Sequence, residues 1–151
     1  NYKELEFALE KYNFDFVQAP FNLLDQGIVT SGWYEKLKKN NIEIHIRSIF
    51  LQGLLLIDRK NIPKQFEKWS SIWDKYEDWC KINSISKIET CINVIKKYNF
   101  DNVIIGVNNM NQLRTILKKI KLKKINLSPD IVCNDNLLIN PSKWNIYEKN
   151  N

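Results

Sequence analysis

The residue types that do chemistry are sparse in this sequence, and their spacing rules out much of what they could build. His45 is the single histidine, and Cys80, Cys91 and Cys133 are odd in number, widely spaced and without a CxxC pair. A zinc site needs four converging nitrogen or sulfur ligands and a disulfide framework needs paired thiols, so neither fits. His45 lies in the middle of an apolar, strand-like run and reads as a structural residue. A formal charge of +6 and a pI near 9.2 raise the question of an anionic partner. Much of the excess sits in "KLKKN" (36–40) and "KKIKLKK" (118–124), which read as solvated helix ends. No RNA-binding aromatic motif, zinc finger or helix-turn-helix signature accompanies them, so no nucleic-acid partner is expected. Asn109 and Gln112, three residues apart, can form a capping pair at the start of a helix.

The framework that must position these side chains is outlined by the apolar spacing. With 151 residues, 44% of them hydrophobic and including five Trp and seven Phe, the chain can fill a core. Leu5, Ala8, Leu9 and Tyr12 recur at helical spacing and precede "FDFVQA" (14–19), a short β-type run. The order returns in "SGWYEKLKKNN" (31–41), where Trp33, Tyr34 and Leu37 form a helical stripe, followed by "IEIHIRSIF" (42–50) as a strand. Between 65 and 81, Phe66, Trp69, Ile72, Trp73, Tyr76, Trp79 and Cys80 fall at steps of three and four, an aromatic face for packing. Ser86 and Glu89 have the spacing of a capping box, and Ile88, Cys91, Ile92 and Ile95 continue a buried helical stripe to about Tyr98.

"DNVIIG" (101–106) then reads as a fully apolar strand, and "NNMNQLRTILKKI" (108–120) as a helix with Leu113, Ile116, Leu117 and Ile120 inward. "KYNFDFVQ" (11–18) and "KYNFDNVI" (97–104) echo each other, each placing a helix end before a buried strand. This alternation, without hairpin signals, predicts an α/β fold with parallel strands near 14–18, 42–47 and 101–106 and helices along one outer face. Three strands cannot close a barrel of eight, so the arrangement is a doubly wound sheet or part of a barrel. Neither a membrane-length apolar run nor a signal peptide is read, and a reducing cytoplasm is the expected compartment. The sequence opens on Asn1 inside a helix-like stretch without an initiator Met, and an upstream segment is expected.

Three segments, "FVQAPFNLLDQ" (16–26), "IEIHIRSIFLQGLL" (42–55) and "VIIGVNNMNQL" (103–113), resemble in order and spacing the sixth, seventh and eighth strands of the aldo/keto reductases. The resemblance runs from about residue 2 to about 120, and "LLINPSKW" (137–144) is similar to the end of bacterial members. It implies a partial (β/α)8 TIM barrel covering about strands six to eight with flanking helices. Residues 1–151 would be the C-terminal part of the domain, 121–151 a tail segment, and the cofactor NADP or NAD.

Site residues follow from the resemblance position by position. Gln18 matches the residue that hydrogen-bonds the nicotinamide carboxamide, where an amide suits a group that is donor and acceptor together; the alternative is a polar strand end. Arg47 stands where many members carry an aromatic that stacks on the nicotinamide, and a planar guanidinium can also stack; the alternative is a surface or salt-bridged arginine. Ser48, Phe50, Leu51, Gln52 and Gly53 match the loop that folds along the pyrophosphate with backbone N–H groups, Gly53 permitting close approach. Gly106, Asn108 and Gln112 match the motif where a helix N-terminus meets the adenosine phosphate. Thr115 and Ile116 replace the Glu and Asn that usually hold the adenine. The family's proton-donor Tyr and its Asp, Lys and His partners lie on strands that would precede Asn1, so no catalytic residue and no metal site is assigned.

The leading reading is therefore the cofactor-binding part of an oxidoreductase that reduces an aldehyde or ketone with NAD(P)H. Its expected partners are a small carbonyl substrate and the missing N-terminal half of the barrel, with neither nucleic acid nor membrane. Two alternatives remain: another phosphate-binding TIM-barrel enzyme, since loops after the last two strands bind phosphate in unrelated barrels, and a catalytically inactive barrel with a binding or regulatory role. A generic phosphate site does not require Gln18 together with "RSIFLQG".

Overall fold

A computed structural model describes residues 2–122 and 128–144. Three strands, β1 (Phe16–Pro20), β2 (Glu43–Arg47) and β3 (Asn102–Val103), are parallel and lie side by side in chain order. The helix–strand alternation predicts that arrangement. β1 runs in register with β2 from Phe16 opposite Glu43 to Pro20 opposite Arg47, and β3 joins through Asn102 opposite His45 and Val103 opposite Ile46. Alternate residues of a strand face opposite sides, so Ile44 and Ile46 share the covered face, where both are fully buried, while Glu43, His45 and Arg47 share the other. Each buried isoleucine contributes about 1.5–3 kcal/mol.

The helices follow the apolar stripes. α1 (Tyr2–Lys11) carries Glu4 in its first turn and Lys11 in its last, both favourable to the helix dipole, and rests on the core through half-buried Leu5 and Leu9. α2 (Gly27–Thr30) is a single turn that no periodicity announces. α3 (Trp33–Lys39) begins after Gly32, whose φ of 81° suits glycine, and buries Trp33 and Leu37. The helix expected from 65 to 81 divides into a 3-10 segment, Lys64–Trp69, and α4 (Ser70–Ile82). At the junction the Trp73 indole N–H donates to the Phe66 carbonyl at 2.9 Å, occupying an acceptor that an α-helical ladder would have given to Ser70. α5 (Lys87–Ile95) opens on the expected capping box between Ser86 and Glu89. α6 (Met110–Ile120) rests on α5, and α7 (Asn136–Ile139) is one turn of the tail.

Other expectations are corrected. β2 ends at Arg47, as the expected bounds of 42–47 have it, and the apolar run on to Phe50 does not continue it, because Ser48 takes a φ of 62° and leaves the extended region. The one expected over 101–106 pairs only at Asn102 and Val103, and Val103 and Ile104 are 42% and 43% exposed. β3 is an edge strand whose one neighbour among the described residues is β2. On α6, Ile116 is buried and Leu113 half-buried, whereas Leu117 and Ile120 face solvent.

The tail returns to the body of the protein. Cys133 donates its N–H to the Leu24 carbonyl at 2.9 Å, the Trp69 indole N–H reaches Asp135 at 3.1 Å, and Trp144 meets Phe66 edge-on at 4.8 Å. Asn1, the end of the 118–124 lysine tract and the last residues of the 121–151 tail lie outside the described residues. No described helix is long and apolar enough to cross a membrane.

Candidate functional site

The chain leaves β2 through a loop shaped by left-handed backbone. Ser48, Leu51, Gln52 and Gly53 have φ of 62°, 47°, 54° and 85°. For residues with a side chain that conformation costs about 1–2 kcal/mol each. Burial offsets the cost, since Ile49, Leu51, Leu54 and Leu55 are at most 3% exposed. Leu51 donates its N–H to the Ser48 carbonyl and Gly53 to that of Phe50, both at 2.9 Å, which curls the loop on itself. The N–H groups of Ile49, Phe50 and Gln52 find no acceptor among the described residues. Backbone curled in this way, with N–H groups left over, forms a concavity suited to an anion.

A brace from the segment after β1 holds this loop. Asn22, which is buried, accepts the N–H groups of Leu24 and Asp25 on Oδ1, each at 2.9 Å, and donates from Nδ2 to the Ser48 carbonyl at 3.2 Å. Asp25 accepts the Gly27 N–H at 3.1 Å. Burial raises the Asp25 carboxyl above its ordinary range, while the Gly27 N–H and the Arg47 charge pull it back.

Between the loop and the segment joining β3 to α6 lies a cleft of about 810 Å³, within the usual range for small-molecule sites. Arg47, Ser48, Phe50, Gln52 and Gly53 line one wall, and Gly106, Asn108, Asn109, Asn111 and Gln112 the other. Ile49, Leu56, Ile88, Ile104, Ile105, Thr115 and Ile116 complete the lining. At the start of α6 the Asn109 side chain accepts the Gln112 N–H at 3.0 Å, and Gln112 Oε1 accepts the Asn108 N–H at 2.8 Å. These two bonds leave Asn109, Met110 and Asn111 as the N–H groups there without a described acceptor. Arg47 donates to Ser48 Oγ at 3.2 Å and makes no ion pair among the described residues.

The other reactive side chains are engaged internally. His45 stacks on Phe16 with ring centroids 4.4 Å apart, and its Nε2 lies 2.8 Å from Glu43 Oε2 and 2.9 Å from Asn102 Nδ2, so it ties the sheet face together. Burial pushes the Cys91 thiol up to about 12 and raises that of Cys80, which keeps both protonated and poorly nucleophilic at neutral pH. Tyr76 is also raised by burial, with the carbonyls of Leu55 and Lys87 at 3.2 and 3.1 Å from its hydroxyl. None of these groups opens onto the cleft between the two loops.

Comparison with known proteins decides the family. The sequence model of the aldo/keto reductase family matches residues 2–129. The chain belongs to the aldo/keto reductases. A comparison with curated proteins finds no match. Among solved structures, an aldo-keto reductase of Bacillus halodurans, in its apo form, is similar with a TM-score of 0.64 at 12% identity, which speaks to the fold alone. The match covers 81% of this chain and 43% of that one, so the chain spans less than half the length of that aldo-keto reductase.

In this aldo/keto reductase chain, the residues nominated from sequence are largely brought together. Arg47, Ser48, Phe50, Gln52, Gly53, Gly106, Asn108 and Gln112 all line the cleft. Leu51 does not: its side chain is fully buried and anchors the loop from behind. Gln18 also lies outside the lining, exposed on β1 and on the sheet face that carries His45 and Arg47. Sequence reasoning missed Asn22 as the brace on the loop and Leu56 and Ile88 as part of the apolar wall. The "FNLLDQ" run, in which Asn22 stands three residues before Asp25, carries the one local signal, a side-chain-stabilised turn.

Proposed function

We propose that this chain is the cofactor-holding part of an aldo/keto reductase whose complete form reduces an aldehyde or ketone with a nicotinamide dinucleotide. In this reading it supplies about strands six to eight of the barrel, and the proton donor and its partners come from elsewhere in the protein. The observation that carries it is the cleft in which the curled loop after β2 and the start of α6 meet, each with backbone N–H groups lacking a described acceptor. Such donors suit phosphate oxygens without needing a side-chain cation for each. The fit to a dinucleotide rests on that donor set, on the Arg47 charge and on the apolar wall around Ile88 and Ile116.

The backbone of residues 48–53 would hold the pyrophosphate, with Asn22 keeping the loop in shape through the Ser48 carbonyl. Arg47 would lie beside the nicotinamide end, and Gln18, on the same sheet face, would meet the carboxamide. Bound there, the nicotinamide supplies the reducing equivalent for the carbonyl. Phe50, Leu56 and Ile105 would exclude water from one side of it. Titration of NADH and NADPH into the complete protein, followed by nucleotide fluorescence, tests the reading, with saturable binding expected. The present segment alone is expected to reduce no carbonyl, because holding a cofactor does not provide a general acid. Absence of binding of either nucleotide by the complete protein, or aldehyde turnover by the segment that is lost on mutating Arg47, would overturn it.

A further inference from the structure

Charge along the cleft discriminates between the two nicotinamide dinucleotides. Arg47 is the single charged side chain among the described residues that line it; the other polar groups are amides and hydroxyls, and the remainder is apolar or glycine. Three other cations of the described residues form ion pairs with carboxylates. Lys119 pairs with Glu89 at 3.0 Å, Lys87 with Glu77 at 2.6 Å, and Arg59 with Asp74 at 2.6 Å and Glu67 at 3.0 Å. Arg114 and Lys118, on α6 itself, do not line the cleft.

We infer that the site selects NAD(H), with its free 2′-hydroxyl, over the 2′-phosphorylated NADP(H). The inference rests on the cofactor reading given above and names which member of the pair the site takes. A 2′-phosphate brings about 1.5–2 further negative charges and three acceptor oxygens, and desolvating it needs a positive partner such as arginine. Arg47 already faces the loop whose donors suit the pyrophosphate, through its bond to Ser48 Oγ. Asn108 and Asn111 on the opposite wall offer amides, which match ribose hydroxyls as donors and acceptors but carry no charge. Among the described residues that line this wall, a 2′-hydroxyl finds amides of matching kind and a 2′-phosphate finds no charged side chain.

The experiment compares NADH and NADPH binding to the complete protein by fluorescence titration at fixed ionic strength. NADH is expected to bind at least about tenfold more tightly. A second arm adds a cation to the wall through Gly106→Lys. Gly106 lines the cleft, has no left-handed φ, and a Cβ there meets no heavy atom within 4 Å, so the wall accommodates a side chain. In that variant NADPH affinity should rise, and salt should weaken NADPH binding more than NADH binding. Equal or tighter binding of NADPH by the parent overturns the inference while leaving the cofactor reading in place. Failure of both nucleotides to bind overturns the cofactor reading and this inference with it.

Discussion

Gly53→Val isolates what the left-handed loop contributes. At a φ of 85° Gly53 occupies a region that L-residues enter at a cost of about 1–2 kcal/mol and that β-branched side chains tolerate worst. Its ideal Cβ meets nothing within 4 Å, so no clash adds to the backbone term. The loop is clamped by buried Ile49, Leu51, Leu54 and Leu55. Each such anchor contributes about 1.5–3 kcal/mol, more than the strain, so the fold should survive. The strain should emerge in stability as about 1–2 kcal/mol by urea denaturation. Where the free variant relaxes residue 53 and the complex needs the curled form, the same energy becomes about 5–30-fold weaker cofactor binding. Gly53→Asn should lie between the two, since asparagine visits this region more readily. Thr115→Ala serves as the comparison, because the Thr115 hydroxyl is bonded to the Asn111 carbonyl at 2.9 Å within its own helix. Fluorescence titration of the complete protein decides: parent-like binding by Gly53→Val with weakened binding by Thr115→Ala would refute the assignment of the loop to the pyrophosphate.

Three further outcomes are expected. Asn22→Ala should destabilise by about 2–3 kcal/mol in urea melts, since it leaves buried backbone groups unsatisfied, and it should weaken cofactor binding through the released Ser48 carbonyl; unchanged binding in a folded variant would remove the brace from the site. Because burial raises the folded Asp25 carboxyl above its ordinary value of 3.8, its stability contribution is fully present below that pH and lost as pH rises through the folded value. Asp25→Asn should therefore raise the melting temperature at pH 7 and leave it nearly unchanged at pH 3, and the opposite pattern would contradict the burial argument. With Phe16 exposed on β1, Val103 on the edge strand β3 and Ile104 just after it, the segment by itself should self-associate in sedimentation experiments; a monomer with a sharp cooperative melt would refute this.

What could be read from the sequence divides along the range of the forces involved. The order of helices and parallel strands was legible because each stripe, such as Trp73, Tyr76 and Cys80 on α4, is a local periodicity. Burial of Val103 and Ile104 was not, because an apolar strand is covered only by whatever neighbours it, and β3 has β2 alone among the described residues. The loop after Arg47 shows the same limit more sharply. "SIFL" is apolar enough to continue a strand, and no local rule places Leu51 and Gln52 in a left-handed conformation. They are held there by the burial of Leu51 and by Asn22, whose bond to Ser48 spans 26 residues. The site was legible as two matched segments, yet their meeting across one cleft is a property of the sheet, which sets the ends of β2 and β3 side by side. Leu51 was nominated as a contact because it lies in the matched stretch, but its side chain acts only through the backbone shape it anchors. A substitution such as Leu51→Ala should consequently disturb cofactor binding only in proportion to lost stability. Removal of this buried side chain typically costs about 2–5 kcal/mol. A folded Leu51→Ala protein that loses binding without losing stability would show direct contact and reverse that conclusion.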